Sequence, residues 1–211
     1  TATELMIVYG EDTNTQPRFR LWNVKGMSAE FSMLDIDAPL KWSVIEAAPV
    51  STREEYVAVT LGTDADINAQ VFAVGEWGDL QEMTTSVSDI SARGFDVAYE
   101  SISGDAIVAY CDGDADPSYY VWDGSAWTSG GIINVTETTN CEWIELASDP
   151  TSDEIVIMTR GEDGTPYEAQ VWNATTSTWG NATTLGRITE SSFEGMAVEY
   201  EESGGQAVIV A

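Results

Sequence analysis

The stretch "VWDGSAWTSG", residues 121–130, sets two tryptophans five residues apart around an Asp-Gly turn. Fifty residues later the chain reads "VWNATTSTWG" (171–180), and fifty earlier "VFAVGEWGDL" (71–80). The end of the phrase recurs at Leu21-Trp22, Val71-Phe72, Val121-Trp122 and Val171-Trp172. A second tryptophan returns at Trp77, Trp127 and Trp179, with Lys25-Gly26 near that place in the first copy. A fixed period of this size is the signature of a repeat architecture.

Three further families of segments share the period. "LMIVYG", "EYVAVTLG", "AIVAYCDG", "EIVIMTRG" and a final "QAVIVA" lie upstream of the tryptophan phrases. Before those come "WSVIEAAP", "GFDVAYES", "EWIELASDP" and "FEGMAVEYE", whose small residues recur at Ala47, Ala98, Ala147 and Ala197. A polar segment such as "GGIINVTETT" follows the tryptophans. Each unit thus holds four short runs rich in Val, Ile, Tyr, Trp and Thr, punctuated by Gly, Asp, Ser, Pro and Asn. These read as four antiparallel strands. No run has a sustained 3.6-residue apolar period, so helix is nearly absent.

The expected fold class is all-β, a β-propeller of four-stranded antiparallel blades with a repeat of about 50 residues. One four-stranded sheet cannot bury both faces, whereas stacked sheets can. The alanine-bearing segment, with Gly94 and Gly195, suits the crowded innermost strand. The Val/Ile-rich segment comes second, the one ending in Trp122 or Trp172 third, and the polar one forms the outer edge, where polarity resists edge pairing. The tryptophans are expected to pack between blades and anchor turns, with ligand stacking as the alternative. The chain reads as one propeller or propeller segment over 1–211, in units of about 1–39, 40–91, 92–140 and 141–190 and a partial unit 191–211.

The progression "AYE…GDAIVAY…YYVWDGSAW" over 98–127 resembles secreted bacterial and archaeal propeller repeats of the broad sialidase-like and kelch-like type. The resemblance covers nearly the whole chain as a blade pattern and implies a fold more than an activity. The sialidase Asp-box does not occur. Six arginines scattered at 18, 20, 53, 93, 160 and 187 give no support to the arginine triad that the resemblance would imply for a sialidase.

The strands count to seventeen, which closes neither a four-bladed nor a five-bladed ring. The chain is then an excerpt of a larger propeller, or a ring in which "FEGMAVEYE" clasps the first blade, or a copy that shares terminal strands with others. An excerpt or an assembly is the expectation. The chain opens on Thr, which suggests a processed chain or an excerpt.

Composition removes several functions. Thirty-six acidic residues face eight basic ones, for a net charge of −28. Lys25 and Lys41 are the lysines. Nucleic acid and anionic membrane surfaces need cationic contacts that are missing here. With no histidine, the commonest general base and metal ligand is gone. The longest clean apolar run is about six residues, far below the ~20 of a membrane-spanning helix.

Four sets of residues are candidates for a role. "CDGDADPS" places Asp112, Asp114 and Asp116 at alternate positions in a turn, a pattern that can wrap calcium with oxygen ligands, although Pro117 stands where Gly is usual. A solvated acidic turn is the plainer reading. Asn134, Asn173 and Asn181 head Asn-x-Thr sequons and would accept glycans outside the cell. Cys111 and Cys141 are either a disulfide or two buried thiols. No catalytic residue can be assigned, since so many carboxylates make any pair uninformative.

The leading expectation is therefore a non-enzymatic extracellular or cell-surface protein, structural or adhesive, part of an appendage, filament or larger surface protein. Its partners would be other copies, surface proteins or glycans. The alternative is a glycan-binding, lectin-like propeller with tryptophan platforms. A glycoside hydrolase or lyase using two carboxylates stands third.

Overall fold

In the computed structural model the described residues are 5–49, 53–136, 139–162, 164–187, 193–203 and 205–211. All regular structure among them is strand. The first sheet holds β1 (Leu5–Tyr9), β2 (Arg18–Asn23), β3 (Gly26–Met27) and β4 (Phe31–Ser32). Both short strands pair with β2, so the outer position of this blade is split. The second sheet runs β5 (Leu40–Ala47), β6 (Glu55–Gly62), β7 (Ile67–Ala73), β8 (Glu76–Thr84). The third runs β9 (Phe95–Tyr99), β10 (Ala106–Tyr110), β11 (Ser118–Trp122), β12 (Trp127–Ile132). The fourth runs β13 (Cys141–Ser148), β14 (Ile155–Gly161), β15 (Pro166–Asn173), β16 (Thr178–Arg187). A final two-stranded sheet pairs β17 (Ala197–Tyr200) with β18 (Ala207–Val210).

We call the sheets blades 1 to 4 and the half-blade. Within blades 2, 3 and 4 all neighbours are antiparallel, in the strand order expected from the repeat. The pairing of third and fourth strands slips at one repeated place, between Ala69 and Val71, Tyr119 and Tyr120, and Ala169 and Val171. An extra residue there increases local twist and turns the outer edge away from flat pairing. The β7–β8 turn takes φ +55° at Val74 and +87° at Gly75, the left-handed pair that matches strand twist in a two-residue hairpin.

The core lies between the blades. Second strands are buried on both faces, as in "AIVAY" of β10 and "IVIMTRG" of β14. Met6, Phe19 and Met33 of blade 1 meet Ala58, Tyr56, Phe72 and Trp77 of blade 2. Val57, Val59 and Leu61 meet Val97, Val108 and Trp122. Ile107 and Ala109 meet Ile155, Ile157 and Trp172. Val156 and Met158 meet Val198, Tyr200 and Ile209. Each such layer explains why an apolar phrase returns with the period.

Two details of the repeat depend on pairing partners. "FEGMAVEYE" does not clasp blade 1, because β17 pairs with β18 in a sheet separate from that of β1. The recurring alanines do not share one register position either. Ala98 and Ala147 do, opposite Ile107 and Val156. The matching places in blade 2 and the half-blade are Glu46, opposite Val57, and Glu199, opposite Val208. Turn lengths before the inner strands differ, so small residues slide by one or two positions.

Candidate functional site

Blades 1 and 2 leave a recess of about 340 Å³ between them. It is lined by Tyr9 to Asp12 where β1 ends, by Pro39, Leu40, Lys41 and Ser43 where β5 begins, and by Thr63 after β6. Its shape depends on Gly10, where a Cβ would stand 2.7 Å from the Cβ of Leu40. The ring of Tyr9 is held in place at its hydroxyl, which donates to Glu30 at 2.5 Å and accepts from Arg20 Nε at 3.0 Å. Tyr9 and the flanking arginines hold the Glu30 carboxyl below its usual pKa. Glu11 is engaged by Asn14 and Arg18.

Among the described residues, four polar groups of this recess have no protein partner: the Asp12 carboxylate, the Lys41 ammonium, and the Ser43 and Thr63 hydroxyls. An acceptor, a cationic donor and two hydroxyls beside a fixed aromatic ring and the apolar Pro39 and Leu40 can bind a polyhydroxylated ring. The sequence carries one signal for this place. Lys41 is one of only two lysines in a chain of net charge −28.

The tryptophans serve the junctions. Trp172 donates its indole N–H to Glu100 of the preceding blade at 2.5 Å. Trp122 donates to Glu55 of its preceding blade at 3.1 Å, and the Tyr99 hydroxyl joins the same oxygen at 3.2 Å. Arg53 pairs with Glu55 and Asp105, each at 3.2 Å. Trp127 reaches back to the Asp79 carbonyl at 2.7 Å. These contacts place Trp122, Trp127 and Trp172 between blades, as expected.

The inner strands carry a second kind of tie. Asp96 accepts the Leu146 N–H of the next blade at 2.8 Å, and Glu145, its counterpart in blade 4, accepts the Val198 N–H at 3.2 Å. Arg93 joins them through Asp96 at 3.6 Å and Glu145 at 3.2 Å, and also contacts Glu194. Burial raises the pKa of Asp96 and of Glu145. Glu46 reaches solvent but is closely surrounded by protein. That desolvation, followed by Asp96 and Glu199, pushes its carboxyl up to about 7.

A carboxyl whose folded pKa exceeds its unfolded value costs stability when ionised, and the cost is relieved as pH falls. Melting temperature is therefore expected to rise as pH drops from 8 through 7 toward about 5, with relief of the net negative charge adding to it. Glu46→Gln should flatten the part of that slope near pH 7. Parallel melting curves against pH for both proteins would refute this assignment.

The remaining candidates lie apart. In the 112–116 turn, Asp112 accepts from the Ser118 hydroxyl at 2.7 Å and Asp116 from the Val135 N–H at 2.8 Å. The Asp114 carbonyl accepts the Cys141 N–H at 2.9 Å. The turn thus ties blade 3 to blade 4. Among the described residues no group of three or more acidic or cysteine side chains is gathered as a metal site. Asn134, Asn173 and Asn181 are exposed on or beside the outer strands of blades 3 and 4. Cys111 and Cys141 are bonded at an S–S distance of 2.03 Å and join blade 3 to blade 4.

No protein-family model matches the chain. No curated protein matches it by sequence. Solved structures do. AofleA from Arthrobotrys oligospora superposes with a TM-score of 0.58 at 11% identity, over 99% of this chain and 61% of that one. The SapL1 lectin, solved in complex with α-methyl fucoside, gives 0.58 at 18% identity, over 93% and 64%. The fold is a β-propeller. A variant of Aleuria aurantia lectin with Fucα1-6GlcNAc gives 0.51 at 12% identity over 93% of this chain. An ulvan lyase of a polysaccharide lyase family gives 0.50 at 11% identity over 93%. The chain spans about three fifths of the length of AofleA. The arginines do not follow its own repeat: they sit on β2, before β6, before β9, on β14 and at the end of β16.

Proposed function

We propose that this chain is a glycan-binding propeller without turnover, working outside the cell, and that the recess between blades 1 and 2 receives one neutral pyranose ring. The observation that carries the reading is the set of unengaged groups, Asp12, Lys41, Ser43 and Thr63, around a fixed Tyr9. A sugar hydroxyl can donate to Asp12 while accepting from Lys41, and the carbon face of the ring can lie on Tyr9 or Leu40. The surrounding charge of −28 repels sulfated and uronic polymers and favours neutral sugars. Fold neighbours solved with fucosides support the class and suggest the first probe. An adhesive role follows if such a lectin is displayed on a surface.

Calorimetric titration with α-methyl fucoside, backed by an array of neutral glycans, tests this. Lys41→Ala and Asp12→Asn should each weaken binding about tenfold or more, because each removes a charge-assisted hydrogen bond. Both residues are exposed, so melting should be unchanged. The reading fails if no neutral sugar binds, or if both variants bind as the parent does.

A further inference from the structure

The outer edges of the blades are protected unequally. Blade 2 ends in β8, which carries Glu76, Asp79 and Glu82. Blade 3 ends in β12, a shorter strand with adjacent glycines at Gly130 and Gly131. In blade 1 the edge is split between the short strands β3 and β4. Charge and brevity both hinder pairing of an edge with another chain. Blade 4 ends in β16, ten residues whose one charged side chain, Arg187, stands at its end.

The ladders show what replaces the charges of blade 2. Phe72 pairs with Trp77 as Trp172 pairs with Trp179, and Val71 with Gly78 as Val171 with Gly180. In that register Thr178, Asn181 and Thr184 take the places of Glu76, Asp79 and Glu82. Asn181 repeats the left-handed backbone of Asp79, at φ +56° and +50°. The surrounding sequence is depleted of acid in the same way. Residues 169–189 contain no Asp or Glu, and no other acid-free run in this chain is as long.

That run holds two of the three sequons. Asn173 ends β15 opposite Thr178, and Asn181 lies in the bulge of β16, about 10 Å further along the strand. Both asparagines, and the Thr175 and Thr183 that complete their sequons, are exposed. Asn173 accepts the Thr176 N–H at 3.3 Å with its side-chain oxygen, which leaves the amide nitrogen to solvent. Among the described residues no hydrogen bond engages the Asn181 side chain. Asn134 differs. Its Thr136 gives both N–H and hydroxyl to the buried Glu168, and its own carbonyl accepts from Gln170 at 2.6 Å, so that sequon is strapped to blade 4.

We propose that Asn173 and Asn181 carry N-linked glycans, and that these sugars shield the β16 edge in place of charge. In the transfer step the asparagine Nδ2 attacks the anomeric carbon of a lipid-phosphate-linked oligosaccharide. A C–N bond forms, the C–O bond to phosphate breaks, the phosphorylated lipid leaves, and the amide proton passes to a base of the transferase. The product is a bulky, hydrated group on an outer strand. Structural disulfides such as Cys111–Cys141 form in the same secretory setting in which sequons are modified.

Peptide mass mapping of the full chain isolated from its source tests the modification. Sugar should be found at Asn173 and at Asn181, and a bare asparagine at either place overturns the proposal. Sedimentation velocity from micromolar to millimolar concentration tests the shielding. The glycosylated parent should sediment as one species across the range. Thr175→Ala with Thr183→Ala removes both acceptor sequons while keeping Asn181 and its backbone, and should associate as concentration rises. Thr175→Ala with Thr178→Glu, Asn181→Asp and Thr184→Glu is also free of sugar at both places but carries the three carboxylates of blade 2, and should return to the parent's behaviour. All the substituted side chains are exposed, so melting should stay near that of the parent. A double-alanine variant that sediments as the parent does overturns the shielding role. So does a carboxylate variant that associates as strongly as the double-alanine one.

Discussion

Trp172→Ala should lower unfolding stability by about 3–5 kcal/mol, the range for emptying a fully buried large aromatic site. Trp172 is 3% exposed. It lies between Tyr119, at 5.6 Å between ring centres, and Trp179, at 5.5 Å. Its neighbours are the ends of rigid strands, so the cavity cannot collapse without moving two blades. The variant also leaves Glu100 without its indole donor in an apolar layer, and burial already raises that carboxyl's pKa. Trp172→Phe separates the two causes. It keeps most of the packing and loses the hydrogen bond, so about 1–2 kcal/mol is expected. Blade 2 supplies an internal control, because Phe72 holds the same position in its sheet, opposite Tyr56, as Trp172 does opposite Ile155. Urea unfolding measures all of this. A loss below about 1 kcal/mol for the alanine variant would mean that the blades relax around the gap, against the close packing usual in protein interiors.

The division between what could be read in the residues and what could not follows from how each feature is encoded. A buried strand of the repeat needs several apolar side chains at fixed spacing, so "AIVAY" and "EIVIM" reveal their place without a structure. The tryptophans between blades are legible for the same reason. The indole acceptors are not, because Glu55 and Glu100 are two among 36 acidic residues, and their burial, shared with Asp96, Asp149 and Glu168, leaves no mark in the sequence. The alanines misled through register. A one-residue difference in turn length puts Glu46 where Ala98 and Ala147 stand, and pairing partners are needed to detect it. The recess is not legible in the sequence because its residues come from three separate segments and none belongs to a motif. Lys41 was the single clue, unusual only against the charge of the whole chain.

Replacing both cysteines, Cys111→Ala with Cys141→Ala, should cost about 3–4 kcal/mol, the loop-closure value for a bond across 30 residues. In a chain of this length that corresponds to a fall of roughly 6–16 °C in melting temperature. The bond lies where its loss is felt most. Cys111 follows the buried second strand of blade 3, Cys141 opens the inner strand of blade 4, and both are buried at 1–2% exposure. The backbone bond from Cys141 N–H to the Asp114 carbonyl and the apolar layer around Ile107 and Ile155 still join the two blades in the variant. The expected result is thus a folded protein with a lower transition, not an unfolded one. Dithiothreitol added to the parent should reproduce the shift, and added to the double variant should do nothing. A structural disulfide of this kind persists in an oxidising compartment, which is the physical ground for the proposal that the protein works outside the cell. If the double variant melts with the parent, the bond contributes nothing to the fold, and the extracellular reading must rest on glycan binding by the recess alone.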